Sequence, residues 1–391
     1  MKIVVLGGSG AQGIFAVESL LKGNVFDEIV LAGRNLEKIE KVIKQFNSPK
    51  LSAAQIDIFN KEKLMDLISS ADIVANCTGP YYLLGEQIIN ATIEAGVNYV
   101  DYCDDVIVHE KVFTEENQKL AKEKNISVIV GLGASPGLIP LMAMNSANEL
   151  DKVEDINIYM AINNREPEGP AVLDHTIENF FGQVPLIKDG EKIYENGFEG
   201  KEVYDFGPPF GNLLVSTMGH PEVFSLPRVL PEIKNLVIKL GVFPSQSLEL
   251  FSIFSAVGLA SKKPLMVNGM EVVPRDFLIS LLMSHPPRTE LLEGEPETIY
   301  SATSVEVKGI KDNYHVTHKY DFLSQMGPVT SIPLALGAEM LAQGKIDKTG
   351  ILVPEECLDP KSFIDNVIER AKNNNYPITL KKEIKINSEW V

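Results

Sequence analysis

Cysteine is scarce in this chain: three residues in 391, Cys77, Cys103 and Cys357, odd in number, widely separated and without metal-ligand spacing. That pattern excludes a disulfide framework and a zinc site, and it fits a reducing cytoplasm. Runs of basic residues are missing as well. The formal net charge is −17, which repels phosphate backbones and anionic lipid, so neither nucleic acid nor a membrane is an expected partner. Long uninterrupted apolar runs are also lacking. The first, Ile3 to Leu6, ends in glycines and is too short for the core of a signal peptide. Ile126 to Asn148 is uncharged, but Gly131, Gly133, Pro136, Gly137 and Pro140 break it, so it reads as strand, turn and helix start. Leu250 to Ala260 is too short to span a bilayer.

What is present is an ordinary globular composition, 45% hydrophobic and 23% charged, in a chain long enough for two domains. From the start, β-branched runs alternate with helical patterns, the rhythm of a parallel sheet with crossover helices. Strands are expected at Lys2 to Leu6, Glu28 to Leu31, Ser52 to Ile56, Asp72 to Asn76, Tyr99 to Asp101 and Ile126 to Val130. Helices between them are expected from about Ala11 and over Glu37 to Phe46, Lys61 to Ser69, Gly85 to Ala95 and Glu115 to Lys124. Beyond Gly137 the pattern changes, because Ile156, Ile158, Met160 and Ile162 alternate with polar or small residues as in a half-buried antiparallel strand. Thr303 to Val307 and Tyr314 to Tyr320 repeat that signal, Asp205 to Pro227 reads as Gly- and Pro-rich loops, and Ser331 to Leu341 and Ser362 to Ala371 read as helices. The expected fold class is α/β: a Rossmann-type doubly wound parallel sheet plus a second α/β domain with a mostly antiparallel sheet. The expected boundaries are 1–137 for the dinucleotide domain and 138–327 for the second domain.

The first motif that carries chemistry is Gly8-Ser9-Gly10-Ala11-Gln12-Gly13, set between the first strand and the first helix. In that setting Gly8 permits a tight turn, Gly10 lets backbone approach a pyrophosphate, and Gly13 lets helix and strand pack closely. Free N–H groups at the helix start then face the phosphates. The second strand ends in Ala32-Gly33-Arg34-Asn35, with no carboxylate to accept a bond from a ribose 2′-OH. Arg34 instead suits a 2′-phosphate, which points to NADP, with NAD as the alternative. Asn35 lies in the same turn. Asp57 suits either a bond from the adenine amino group or the cap of the helix near Lys61.

Asn76-Cys77-Thr78-Gly79-Pro80-Tyr81, Gly85-Glu86 and Ala95-Gly96-Val97-Asn98-Tyr99-Val100-Asp101 resemble the N-terminal domain of the saccharopine dehydrogenase family. Gly131 to Gly137, and Thr330, Pro333, Ala335, Gly344-Lys345-Ile346 and Gly350 to Pro354, resemble its later segments. The resemblance implies an NADP- or NAD-dependent oxidoreductase acting at a C–N bond of an amino-acid or polyamine derivative, with the dinucleotide domain completed by C-terminal helices in 328–391 and with 138–327 as a substrate-binding and dimerisation domain, and it suggests a dimer. Two alternatives stand beside it: an NADPH-dependent reductase of a C=O or C=C bond, and a non-catalytic NADP-binding regulatory protein.

Hydride transfer also needs a group that trades a proton with nitrogen, and such groups gather beyond the carboxyl ends of the strands. Thr78, Gly79 and Pro80 are expected there on the cofactor side. Tyr81 and Tyr82 are placed to bond the substrate or wall the nicotinamide. Asp101 and Asp104 are acid-base or ammonium-binding candidates, although Asp104 or Asp105 also suits a helix cap. Cys103 is either a reactive thiol or a small buried hydrophobe. His220 is the candidate proton-transfer histidine, and Arg228 the candidate clamp for a substrate carboxylate, in competition with Arg165, Arg275 and Arg288.

Overall fold

A computed structural model describes residues 1–166, 169–244, 246–285 and 300–390, and the chain divides into two compact units. Unit 1 comprises Met1–Asn145, Phe224–Pro231 and Gly327–Ile378; unit 2 comprises Ser146–Val223, Glu232–Met326 and Thr379–Val391. Elements are numbered in chain order over both.

Unit 1 begins with β1 (Lys2–Leu6), α1 (Gly13–Gly23), β2 (Glu28–Gly33), α2 (Leu36–Phe46), β3 (Leu51–Gln55) and α3 (Lys61–Ser69). It continues with β4 (Ile73–Asn76), α4 (Tyr81–Ala95), β5 (Asn98–Asp101), α5 (Val106–Val112), α6 (Glu115–Glu123), β6 (Ser127–Ile129) and α7 (Leu138–Ala147). Later segments add most of α9 (Glu222–Val229), then α12 (Met326–Ala342), β17 (Gly350–Leu352), α13 (Pro354–Cys357) and α14 (Pro360–Asn373). The sheet order is β3-β2-β1-β4-β5-β6-β17, with every pairing parallel. This is the doubly wound order, and its direction reverses between β1 and β4, where such sheets open a crevice for a ligand. Covered on both faces, β1 and β4 read as continuous apolar runs, and Ile3 to Leu6 are wholly buried.

Sequence and structure differ in this unit at the start of α4 and at the last strand. Helix α4 starts at Tyr81, not Gly85; Gly85 lies inside it, where a Cβ would meet Val108 Cγ1 at 3.2 Å and the Tyr81 ring at 3.3 Å. That glycine marks a close approach of α5 to α4, not a helix start. The seventh strand, β17, was not expected, because three residues between turns carry no periodicity.

Unit 2 holds β7 (Lys152–Asn163), α8 (Pro170–Phe180), β8 (Gln183–Lys188), β9 (Glu191–Asn196), β10 (Glu202–Asp205), β11 (Asn212–Thr217) and β12 (Asn235–Phe243). It adds α10 (Gln246–Ala256), β13 (Leu265–Val267), β14 (Met270–Val272), α11 (Pro274–Ser284), β15 (Ser301–Lys311), β16 (Tyr314–Ser324) and β18 (Thr379–Trp390). The main path of its sheet is β10-β11-β12-β7-β15-β16-β18, mostly antiparallel as expected. However, β7 pairs in parallel with β12 and antiparallel with β15, and Tyr159 and Ala161 on its second face are buried too. It is a central strand, not a half-exposed one. The stretch Asp205 to Pro227 is likewise not all loop. Gly207 and Gly211, both at positive φ, turn β10 into β11, and α9 follows. Its glycines mark the ends of elements.

Candidate functional site

The phosphate-loop geometry is built by backbone closeness. Gly7, at φ 77°, is the left-handed residue, and its N–H donates to Ala32 O at 2.8 Å. The turn role expected of Gly8 therefore belongs to Gly7, which lies hard against the end of β4: a Cβ there would sit 2.6 Å from Cys77 O. Gly13 does what close helix packing requires, since a Cβ would meet Gly7 O at 2.3 Å. Gly10 N–H is taken by Gly7 O, whereas the N–H groups of Ser9, Ala11, Gln12 and Gly13 donate to no protein atom among the described residues. Unpaired donors at a helix start suit a pyrophosphate, so this loop fits a dinucleotide. Helix α12 holds the loop, with Ser331 Oγ donating to Gln12 O at 2.8 Å.

Arg34 is exposed at the end of β2 and makes no ion pair among the described residues. Asn35 Oδ1 accepts Lys38 N–H and caps α2. Asp57 accepts Phe59 N–H at 3.1 Å, while Asn60 caps α3. The capping alternative for Asp57 is therefore filled by Asn60.

Beyond the ends of β4, β5 and β6 lies a buried polar relay. Thr78 N–H and Oγ1–H both donate to Asn76 Oδ1, Asn76 Nδ2 donates to Tyr99 Oη at 2.9 Å, and Tyr99 donates to Asp101 Oδ2 at 2.7 Å. Asp101 Oδ1 accepts the N–H groups of Cys103 and Gly131 at 3.0 and 2.8 Å. Asp101 is completely buried, and burial lifts its carboxyl to about 6 against the opposing pull of those hydrogen bonds. This geometry makes Asp101 a clamp on three strand ends, with no surface to offer a substrate. Tyr81 is similarly committed: buried, its hydroxyl donates to Asn76 O at 2.8 Å and its ring meets Tyr102 edge-on. Burial pushes the thiols of Cys77 and Cys103 up, the former to about 12, so both are inert apolar groups.

The more open groups are Tyr82 and Asp104, both half-buried. Asp105 starts α5, but its side chain reaches across to accept Tyr82 N–H at 2.8 Å and so satisfies a donor at the start of α4. Gly79 and Pro80 form the turn from β4 into α4.

Within unit 2, His220 is buried, and its Nδ1 lies 2.5 Å from Oε2 of Glu222, a carboxylate with no exposed surface. The His175 ring stands nearly perpendicular to that of His220, with centroids 6.3 Å apart, and Asn179 Nδ2 is 2.7 Å from His175 Nε2. Arg228 belongs to unit 1. Its guanidinium covers the Phe113 and Phe224 rings and pairs with Glu356 at 3.0 Å, partners that account for its charge without a ligand. Arg275 is buried between Asp174 and Glu178 in unit 2. Arg288 lies outside the described residues.

Residues 3–129 match the family model of the saccharopine dehydrogenase NADP binding domain, and 133–373 that of the saccharopine dehydrogenase C-terminal domain. The chain belongs to the saccharopine dehydrogenase family. Among curated relatives it is 24% identical to carboxyaminopropylagmatine dehydrogenase of Synechocystis sp., over 93% of this chain and 94% of that protein. It is 25% identical to carboxynorspermidine synthase of Vibrio cholerae, over 94% of each. An apo saccharopine dehydrogenase (L-Glu forming) from Saccharomyces cerevisiae shares the fold, with a TM-score of 0.67 at 14% identity over 98% of this chain and 99% of that one. This saccharopine dehydrogenase family member is therefore a nicotinamide-dependent oxidoreductase with an NADP-binding domain. No helix among its described residues is long and apolar enough to cross a membrane.

Sequence reading overlooked Asn76, Tyr99 and Glu222. Asn76 and Tyr99 stand inside the quoted family segments, and an Asn closing an apolar strand signals a buried polar partner. Glu222 follows His220 by two residues, a spacing with no pattern of its own.

Proposed function

We propose that this family member interconverts a secondary amine and an imine with NADP, on a carboxyl-bearing amine of the amino-acid or polyamine type. The observation that carries the reading is a loop in which the N–H groups of Ser9, Ala11, Gln12 and Gly13 have no protein acceptor among the described residues, in a chain matched almost end to end by the two family models. Two long-range relatives are named for carboxylated amines, which supports the substrate class. The net charge of −17 supports it independently, because such a field draws in a polycationic amine.

The loop from Ser9 to Gly13 would hold the pyrophosphate, Arg34 the 2′-phosphate, and Thr78 to Pro80 the nicotinamide side. When bound, the cofactor supplies the hydride acceptor or donor. In the oxidative direction the substrate C–H bond gives up hydride, the N–H bond gives up its proton to a base, and a C=N bond forms. We assign that base to His220. The Glu222 carboxylate receives Nδ1–H and stabilises the imidazolium that forms at the opposite nitrogen. Asp104 remains the carboxylate for a second ammonium group, and Tyr82 a substrate contact. The chain works in the cytoplasm as a homodimer.

The test is a fluorescence titration with NADPH and NADH, followed by a turnover screen of diamines and polyamines with carboxylated aldehydes. Amine-dependent NADPH consumption is expected. Absence of NADPH binding sinks the cofactor reading, and consumption without amine moves the hydride to a carbonyl or alkene. His220→Gln should lower kcat by about 10²–10⁴. Glu222→Gln should lower it less, and an unchanged kcat in both variants removes His220 from the chemistry.

A further inference from the structure

The polar relay beyond β4 and β5 has a direction. Asp101 Oδ1 accepts two backbone N–H groups, and Oδ2 accepts the Tyr99 hydroxyl. With its proton given to Asp101, Tyr99 Oη accepts from Asn76, which turns the Asn76 amide nitrogen towards it and the amide oxygen away. That oxygen takes both the N–H and the O–H of Thr78, the latter at 2.6 Å. A hydroxyl has one proton, so Thr78 Oγ1 offers only lone pairs to anything else. It accepts from no protein donor among the described residues. Thr78 is half-buried at the outer end of the relay, whereas Asn76, Tyr99 and Asp101 are wholly buried.

The place of Thr78 selects the ligand. It follows β4 at the switch between β1 and β4, beside the glycine loop: a Cβ on Gly7 would sit 2.6 Å from Cys77 O and 3.0 Å from Thr78 N. Arg34 stands at the end of β2, on the opposite side of β1 from β4. A dinucleotide with its 2′-phosphate at Arg34 and its pyrophosphate on the loop extends its nicotinamide half towards β4. The amide donor on that half is the carboxamide NH2, which suits a neutral oxygen, whereas an ammonium group calls for a carboxylate. The neighbouring carbonyls already serve tyrosines, Asn76 O accepting from Tyr81 at 2.8 Å and Cys77 O from Tyr102 at 3.3 Å.

We propose that Thr78 Oγ1 accepts the carboxamide N–H of the nicotinamide, and that Asn76, Tyr99 and Asp101 are positioning residues that keep this hydroxyl an acceptor. The inference rests on the NADP reading above and adds to it the atom that orients the ring. The experiment is calorimetric titration of the full-length protein with NADP and with 3-acetylpyridine adenine dinucleotide phosphate, whose methyl ketone has no N–H. The wild type is expected to prefer NADP by about 10-fold, the range of one hydrogen bond. Thr78→Val should bind NADP about 10-fold more weakly and the analogue nearly as before, and Thr78→Ser should keep the preference. Tyr99→Phe, which frees the Asn76 amide to turn, should lose part of the preference. Circular dichroism checks the fold of each variant. A wild type indifferent between the two dinucleotides, or equal losses for both in Thr78→Val, overturns the Thr78 contact. A selective loss in Thr78→Val with the full preference kept in Tyr99→Phe overturns the positioning role and leaves the contact standing. A wild type that binds neither dinucleotide overturns the NADP reading itself. Should a variant fail to fold, Thr78→Ala takes the place of Thr78→Val, and Asn76→Ala that of Tyr99→Phe.

Discussion

Asp101 illustrates how a carboxylate in a family segment can be structural. Its two oxygens accept from Tyr99, Cys103 and Gly131, and its carboxyl is raised to about 6 by burial. An unfolded Asp titrates near 3.9, so the folded state holds this proton more tightly. The stabilisation is complete below about pH 4 and is lost as pH rises through 6, amounting to about 2–3 kcal/mol. Asp101→Asn should therefore be more destabilised relative to wild type at pH 4.5 than at pH 7.5, by about 2 kcal/mol in urea unfolding. A pH-independent difference would show that burial does not control this group. Arg34 belongs to the same scale but faces solvent. Arg34→Ala should weaken NADPH by about 10- to 100-fold, the range of a charge-assisted hydrogen bond, and leave NADH nearly unchanged. An equal loss for both cofactors would assign the side chain to adenine stacking.

Elements are locked to one another by polar groups that no hydrophobic pattern announces. Arg370 on α14 makes two bonds to Glu339 on α12, at 2.9 and 2.8 Å, and reaches Ser19 O on α1 at 2.9 Å. Gly23 makes room for that carboxylate, since a Cβ there would sit 1.8 Å from Glu339 Oε1. Both side chains are largely buried. Arg370→Ala should cost about 3–5 kcal/mol, because it leaves Glu339 buried without its charge partner. The double change Arg370→Met/Glu339→Leu should cost less than the single one. If it costs more, packing rather than charge governs the contact between α12 and α14. Chemical denaturation of the three proteins decides between the two.

At the scale of the whole chain, unit 1 is finished by residues far from its start. Strand β17 extends the sheet beside β6, Ser127 Oγ donates to Lys348 O at 2.7 Å, and α12 buries most of its length, Ser331 and Glu339 included. Residues 224–231 join the same unit, where Ser225 Oγ donates to Glu355 Oε1 at 2.6 Å. A chain ending at residue 326 should lose cooperative unfolding and NADPH binding together. Retained binding by that fragment would show that β1 to β6 fold without the returning segments.

The glycine loop, the six expected strands and the family segments were legible because they are local. A crossover helix, a tight turn and a packed strand each impose a residue type or period on a short stretch. The relay from Thr78 through Asn76 and Tyr99 to Asp101 was not, nor was the pairing of His220 with Glu222. Those depend on which strand ends and turns meet, and single polar residues carry no period. Sequence alone also placed Arg228 among ligand clamps, whereas its contacts with Phe113, Phe224 and Glu356 follow from the packing of α9. By itself the sequence determined a parallel sheet whose first strand leads into a glycine-rich helix start, with an arginine at the end of the second strand where NAD enzymes carry a carboxylate. Only the tertiary structure decided which carboxylates are buried in support and which apolar side chains stay uncovered, because burial is a property of neighbours distant along the chain.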